Sequence, residues 1–201
     1  EYNKSNYLTN CIVQVWDGSQ WVDNSCEMRT YNSDHNLLTR INKAMYNGNW
    51  IITSKDIATY DENKRVINYT NYQYNIDGAE SPKKKYCYVY NDLGQVITEI
   101  SQNWDTLNLN WLNQNKSNYT YTFLGKVYEI FTFYTVYSKW NDLYHIQIDY
   151  DNNAFISSYS KYMYSDEKWN NNEKFAYDYS IASSVEPVTE NKTASIQSYP
   201  N

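Results

Sequence analysis

This chain repeats one spacing along most of its length: a tryptophan followed ten residues later by a tyrosine. The pairs are Trp21 and Tyr31, Trp50 and Tyr60, Trp111 and Tyr121, Trp140 and Tyr150, and Trp169 and Tyr179, with Glu80 and Tyr90 in the remaining unit. Successive leading positions lie 29, 30, 31, 29 and 29 residues apart. A fixed period of this length marks a stack of small supersecondary units, none of which buries its apolar face alone.

After each tyrosine come five polar residues and an apolar restart: NSDHN before Leu37, DENKR before Val66, NDLGQ before Val96, TFLGK before Val127 and DNNAF before Ile156. Asx-rich segments between apolar runs read as hairpin loops. About ten residues later a second aromatic meets the next tryptophan across another short loop. These pairs are Trp16 and Trp21, Tyr46 and Trp50, Trp104 and Trp111, Tyr137 and Trp140, and Tyr164 and Trp169. Turns are therefore predicted near 17–20, 47–49, 138–139 and 165–168. Period-two alternation puts Trp169, Asn171, Glu173, Phe175, Tyr177 and Tyr179 on one face, and likewise Trp140 with Tyr144, Ile146, Ile148 and Tyr150.

The expected fold is all-β: an antiparallel meander of six β-hairpins over residues 1–180, followed by a linker from 181 toward the end of the sequence at 201. About twelve strands can form an extended or coiled sheet, or close as a barrel or sandwich. Pro82 and the run Lys83, Lys84, Lys85 interrupt the third unit, where a strand should start late or bulge.

Composition agrees. Leu, Ile and Val number 34 and Phe 5, while Tyr numbers 24 and Trp 7, so burial rests on aromatics that favour strands. With 5 Gly and 3 Pro against 28 Asn, Asx residues make the turns. The net charge of −6 argues against nucleic acid as a partner. No apolar run nears the roughly 18 residues of a membrane-spanning helix.

Neither His35 nor His145 has ligands at metal spacing. Asp149, Asp151 and Asn153 begin like a calcium loop, but Ala154 and Ser160 stand where glycine and glutamate are needed, so an Asx turn is expected. Phosphate loops, nucleophile elbows and a singled-out carboxylate pair are missing. The reading is a non-enzymatic protein with no cofactor.

The segments YNDLGQV (90–96), YTFLGKV (121–127) and YDENKRV (60–66) resemble the tyrosine-aspartate repeats of Rhs-like secreted proteins. The longer unit, as in WLNQNKSNYTY, resembles Trp- and Tyr-rich hairpin repeats of Bacteroidetes surface proteins, and the resemblance spans residues 2–180. Tyr2 stands where Tyr31 stands one unit later. Ser198, Tyr199, Pro200 and Asn201 resemble the opening of the C-terminal sorting domain of type IX secretion cargo. Together these imply an extracellular or outer-surface scaffold, stalk or adhesin. Its partners would be the type IX machinery and glycans or other surface proteins. A carbohydrate-binding module with exposed Trp and Tyr is the alternative, and the exposure of the aromatic rows discriminates between the two. Asp105-Thr106-Leu107 matches the Asp-Thr-apolar pattern at which exported Bacteroidetes proteins are O-glycosylated.

Positions opposed across the first hairpin sum to 37 for Trp16 and Trp21, and Cys11 with Cys26 gives the same sum. A disulfide is predicted there, closing a loop of about 15 residues and contributing on the order of 3 kcal/mol in the chain-entropy model. Cys87 is expected to remain a free, buried thiol.

Overall fold

The computed structural model describes residues 1–177 and the two-residue strand Gln197–Ser198. The strands are β1 (Asn10–Trp16), β2 (Trp21–Tyr31), β3 (Leu37–Tyr46), β4 (Asn49–Tyr60), β5 (Val66–Tyr74), β6 (Glu80–Tyr90), β7 (Val96–Asp105), β8 (Asn110–Tyr121), β9 (Val127–Val136), β10 (Lys139–Tyr150), β11 (Ile156–Ser165), β12 (Lys168–Ala176) and β13 (Gln197–Ser198). Strand order in the sheet is chain order throughout. Among the described residues β1 pairs only with β2, so the sheet is an open antiparallel meander and not a barrel. The chain divides into two compact units, Glu1–Gln114 and Asn115–Asn201. The linker expected over 181–201 falls almost wholly outside the described residues. Within it, Gln197 and Ser198 pair with Ala176 and Phe175.

Each tyrosine-end loop is built alike. Its first residue turns its side chain back on the loop's own amides: Asn32 Oδ1 accepts from the Asp34 and Asn36 N–H groups at 3.0 and 2.9 Å, and Asp61 Oδ1 from Asn63 and Arg65 at 3.0 and 2.8 Å. Asn91 and Asp151 do the same. The Asp151 contacts make this segment the Asx turn expected of it. The fourth loop residue is left-handed in every case: His35 at φ 65°, Lys64 at 63°, Gly94 at 77°, Gly125 at 78° and Ala154 at 63°. Glycine suits that position best, and three loops hold it with a side chain present. Asn3 and Asn6 form the same loop, closed by the Tyr2–Leu8 bridge.

The tryptophan-end turns are mostly two residues long. Asn47 and Gly48, at φ 49° and 77°, form the turn whose twist matches the flanking strands. Asp166 and Glu167 form another. The turn predicted at 138–139 is instead Tyr137 and Ser138, since Val136 opposes Lys139 and Thr135 opposes Trp140. Likewise Trp50 opposes Met45, not Tyr46.

The alternation across each leading strand differs from expectation. Three residues after the leading position an extra residue enters the ladder: Asn24, Thr53, Lys83, Leu143 and Asn172 are the added residues in β2, β4, β6, β10 and β12. A one-residue bulge reverses the facing of everything beyond it. Trp140 and Asp142 therefore share a face with Phe133, whereas Tyr144, Ile146 and Tyr150 lie on the opposite one. The repeats led by Trp21, Trp50 and Trp140 thus present their tyrosine on one face, the Tyr face, and their tryptophan on the other, the Trp face.

The same bulge overturns the predicted disulfide. Asn24 moves Cys26 opposite Ile12 and leaves Cys11 opposite Glu27, so the two thiols point to opposite faces and both are free. Cys26 is buried with its thiol against Asn10 Oδ1 at 3.0 Å, and Cys11 is exposed. Cys87 is free and half-buried.

The sheet is a single layer. Among the described residues only Cys26, Asp56, Ala58, Ser101, Thr132 and Ser160 are buried, and no large side chain is fully so. Apolar contact is made along the sheet, between neighbours on one face.

Candidate functional site

The repeat tyrosines are structural locks. Four of the hydroxyls donate to the backbone carbonyl of the restart residue one unit earlier: Tyr31 to Leu8 at 2.8 Å, Tyr60 to Leu37 at 2.7 Å, Tyr90 to Val66 at 2.7 Å and Tyr150 to Val127 at 2.6 Å. Burial holds the phenols of Tyr60, Tyr90, Tyr121 and Tyr150 above their ordinary range. Tyr179 lies outside the described residues, as do Tyr199, Pro200 and Asn201.

The tryptophans sit on hairpin tips that stand apart from one another. Ladders between consecutive hairpins begin at Ser25–Ala44, Ser54–Gln73 and Lys84–Asn103 in the first unit and at Tyr144–Met163 in the second. Nearer the tips, the pairs within each of these hairpins continue to the turn. Trp16 with Trp21, Trp104 with Trp111, and Tyr164 with Trp169 cap their tips as edge-to-face pairs, ring centroids 5.7, 5.1 and 5.1 Å apart. Trp50 and Trp140 face Met45 and Thr135 instead.

A cleft lies between the last two tips of the second unit, with Phe133, Trp140 and Asp142 on the Trp face and Tyr134 and Asn141 on the other. It encloses about 410 Å³ and is lined by Phe133, Tyr134, Trp140, Asn141, Asp142 and Tyr164. The Phe133 ring lies under the Lys116 ammonium at 5.9 Å, and Asp142 opposes Phe133 from the other side. A cation and an anion thus flank one aromatic floor. Behind it the His145 ring stacks on Phe131 at 4.1 Å, meets Trp169 edge-on at 5.8 Å, and bonds to the Glu129 carboxylate at 2.9 Å. His145 is held on every side by packing partners, and that cluster fixes the wall of the cleft. Among the described residues no group of three or more His, Cys, Asp or Glu could hold a metal ion.

The spacing of Trp140 and Tyr164 was readable from sequence, but Phe133, Asp142 and Lys116 were not. The bulge at Leu143 brings Asp142 onto the tryptophan's face beside Phe133, and simple alternation gives no sign of it. Thr106 is exposed in the loop after β7, where Asp105 Oδ1 accepts from the Leu107 N–H at 2.9 Å.

No family model matches the chain, and no curated protein matches it. Among solved structures it resembles a protein of unknown function from Bacteroides fragilis, at 15% identity over 62% of this chain and 91% of that one, with a TM-score of 0.50. A DUF3836 family protein from Bacteroides vulgatus aligns at 12% identity over 45% of this chain and 91% of that one, with a TM-score of 0.38. The Photorhabdus luminescens Tc holotoxin pore aligns at 12% identity over 83% of this chain and 9% of that one, at 0.46. The first of these likenesses is one of fold.

Proposed function

We propose that this chain is a non-enzymatic repeat module of an exported or cell-surface protein, carried by the type IX secretion machinery and acting as a scaffold or adhesive surface. The observation that carries this reading is the tyrosine lock. Four of the recurring tyrosines, Tyr31, Tyr60, Tyr90 and Tyr150, are spent on tying the last strand of one repeat to the first strand of the next, as a modular spacer requires. The Tyr199-Pro200-Asn201 resemblance supports the export route.

The test is localisation in a Bacteroidetes host that has the machinery. The protein should be shaved from intact cells by added protease and should accumulate in the periplasm when the secretion channel is inactivated; recovery from the cytoplasm in both strains would refute the export reading. A glycan on Thr106 should appear as a mass increment on its peptide and vanish in Thr106→Ala.

Carbohydrate binding is a second reading. Its support is the exposure of the Trp16 and Trp21 rings at the first tip, at 55% and 64%. Large accessible aromatics on a single-layer sheet are available to a ligand rather than committed to a core.

A further inference from the structure

The cleft between the β9–β10 and β11–β12 tips has the composition of a ligand site, and its charge pattern narrows the ligand. We infer that this cleft binds one pyranose ring of a neutral glycan, with Trp140 as the stacking face and Asp142 as the hydroxyl acceptor. The inference rests on the carbohydrate-binding reading above and gives that reading a place.

Trp140 is only partly buried, and it opposes Thr135. Trp16, Trp111 and Trp169 each spend a ring face or edge on an aromatic opposite. Among the described residues Trp140 enters no such pair and its indole N–H bonds to no protein group. Asp142 is likewise partly buried, with neither an ion pair nor a hydrogen bond among the described residues. A partly desolvated aromatic and a partly desolvated acceptor, both without partners, stand two residues apart on one strand face.

The volume of about 410 Å³ falls within the roughly 300–1,000 Å³ typical of small-ligand pockets. Pockets of that kind pair apolar walls with a few placed polar groups, and here Phe133, Tyr134, Trp140 and Tyr164 supply the walls. Lys116 and Asp142 flank the floor with opposite charges. An anionic ligand would meet Asp142, and an ammonium would meet Lys116. A pyranose suits both, because it lays an apolar C–H face on a ring while its rim hydroxyls donate to a carboxylate and accept from an ammonium or indole N–H. The cleft is open between tips whose shared ladder starts only at Tyr144 and Met163, so a chain-internal sugar can enter without threading.

Saturation-transfer NMR on the full chain, with methyl β-D-glucopyranoside, methyl β-D-galactopyranoside and tetramethylammonium as probes, tests this. Saturation should reach the ring C–H protons of at least one glycoside. Trp140→Ala should weaken binding about tenfold or more, equivalent to 1.4 kcal/mol. Trp140→Phe should restore part of the affinity, Asp142→Asn should weaken it, and Leu93→Ala, at an exposed loop position of the first unit, should leave it unchanged. Unaltered circular dichroism in each variant excludes misfolding as the cause. Transfer to tetramethylammonium in place of the sugars would overturn the ligand class. Sugar binding that survives Trp140→Ala but is lost in Trp21→Ala would remove the cleft and leave the glycan reading standing. No transfer to either glycoside would overturn both.

Discussion

At the ends of β2, β4, β6 and β10 the repeat tyrosine does two things at once. Its ring covers the Tyr face, and its hydroxyl satisfies a carbonyl of the preceding unit. Tyr150→Phe keeps the ring and removes the bond to Val127, so it should cost about 1 kcal/mol in urea unfolding, with more lost if the carbonyl stays dry. The left-handed loop residue offers the opposite experiment. Ala154 holds φ 63° with a Cβ present, and Ala154→Gly should stabilise by about 1 kcal/mol in the same assay. Titration adds a third. Burial, seconded by the Glu99 charge, pushes the Tyr88 phenol up to about 12, and Tyr60, Tyr90, Tyr121, Tyr150 and Tyr159 also move above 10.0 through burial. A phenol whose folded pKa exceeds its unfolded value holds its proton more tightly when native. That contribution is complete below the unfolded value and is lost as pH rises through the folded one. Unfolding stability should therefore be insensitive to these phenols up to about pH 10 and fall steeply above it. Phenolate absorbance should rise late in the native protein and near pH 10 in urea.

At the scale of the strand, the bulge decides more than any side chain. It sits three residues after the leading position in five hairpins, whatever occupies that place: Asn24, Thr53, Lys83, Leu143 and Asn172. Because Cys26 opposes Ile12, the variant Ile12→Cys with Cys11→Ser should form a disulfide under oxidation, whereas the natural pair Cys11 and Cys26 should both alkylate without prior reduction. Resistance of Cys11 and Cys26 to labelling would show that the ladder runs without its bulge. The hairpins, their order and most turns were legible in the sequence, because Asx loops and the Trp-to-Tyr period are local signals. The faces were not. Asn, Thr, Lys and Leu share no chemistry that announces an inserted residue, and an even spacing of ten between Trp140 and Tyr150 reads as one face until the extra residue makes it two. The cleft was lost with them, since Asp142 and Phe133 meet beside Trp140 only in the bulged register. Tyr137 was misplaced for a related reason: a bulky residue at φ 48° in a two-residue turn is uncommon enough that alternation assigned it to the strand.

With only six residues buried among those described, stability is distributed along the sheet, and the repeat positions show how it is done. The place four residues before the repeat tyrosine holds Glu27, Asp56, Tyr86, Ser117 and Ile146 in successive units. In the second repeat Asp56, only 4% exposed, accepts from Arg40 Nε at 2.9 Å and from Asn71 Nδ2 at 2.8 Å, while Arg40 also reaches the Tyr69 hydroxyl at 3.0 Å. In the fifth repeat the same place is apolar: Ile146 opposes Ile130 on β9. A polar lattice and an apolar one are therefore interchangeable, provided each is complete across neighbouring strands. The consequence is that damage should stay local, as in a one-dimensional array whose units answer mainly to their neighbours. Asp56→Ala leaves Asn71 without its acceptor and Arg40 without its main counter-ion, a loss of about 1–3 kcal/mol. Hydrogen exchange followed by mass spectrometry should then show faster exchange in peptides from β3, β4 and β5. Peptides from β9 to β11 should exchange at the rate of the unaltered protein. An equal acceleration in every peptide would mean that the whole sheet unfolds as one cooperative body, and the hairpins would then be segments of a single domain, not units of an array.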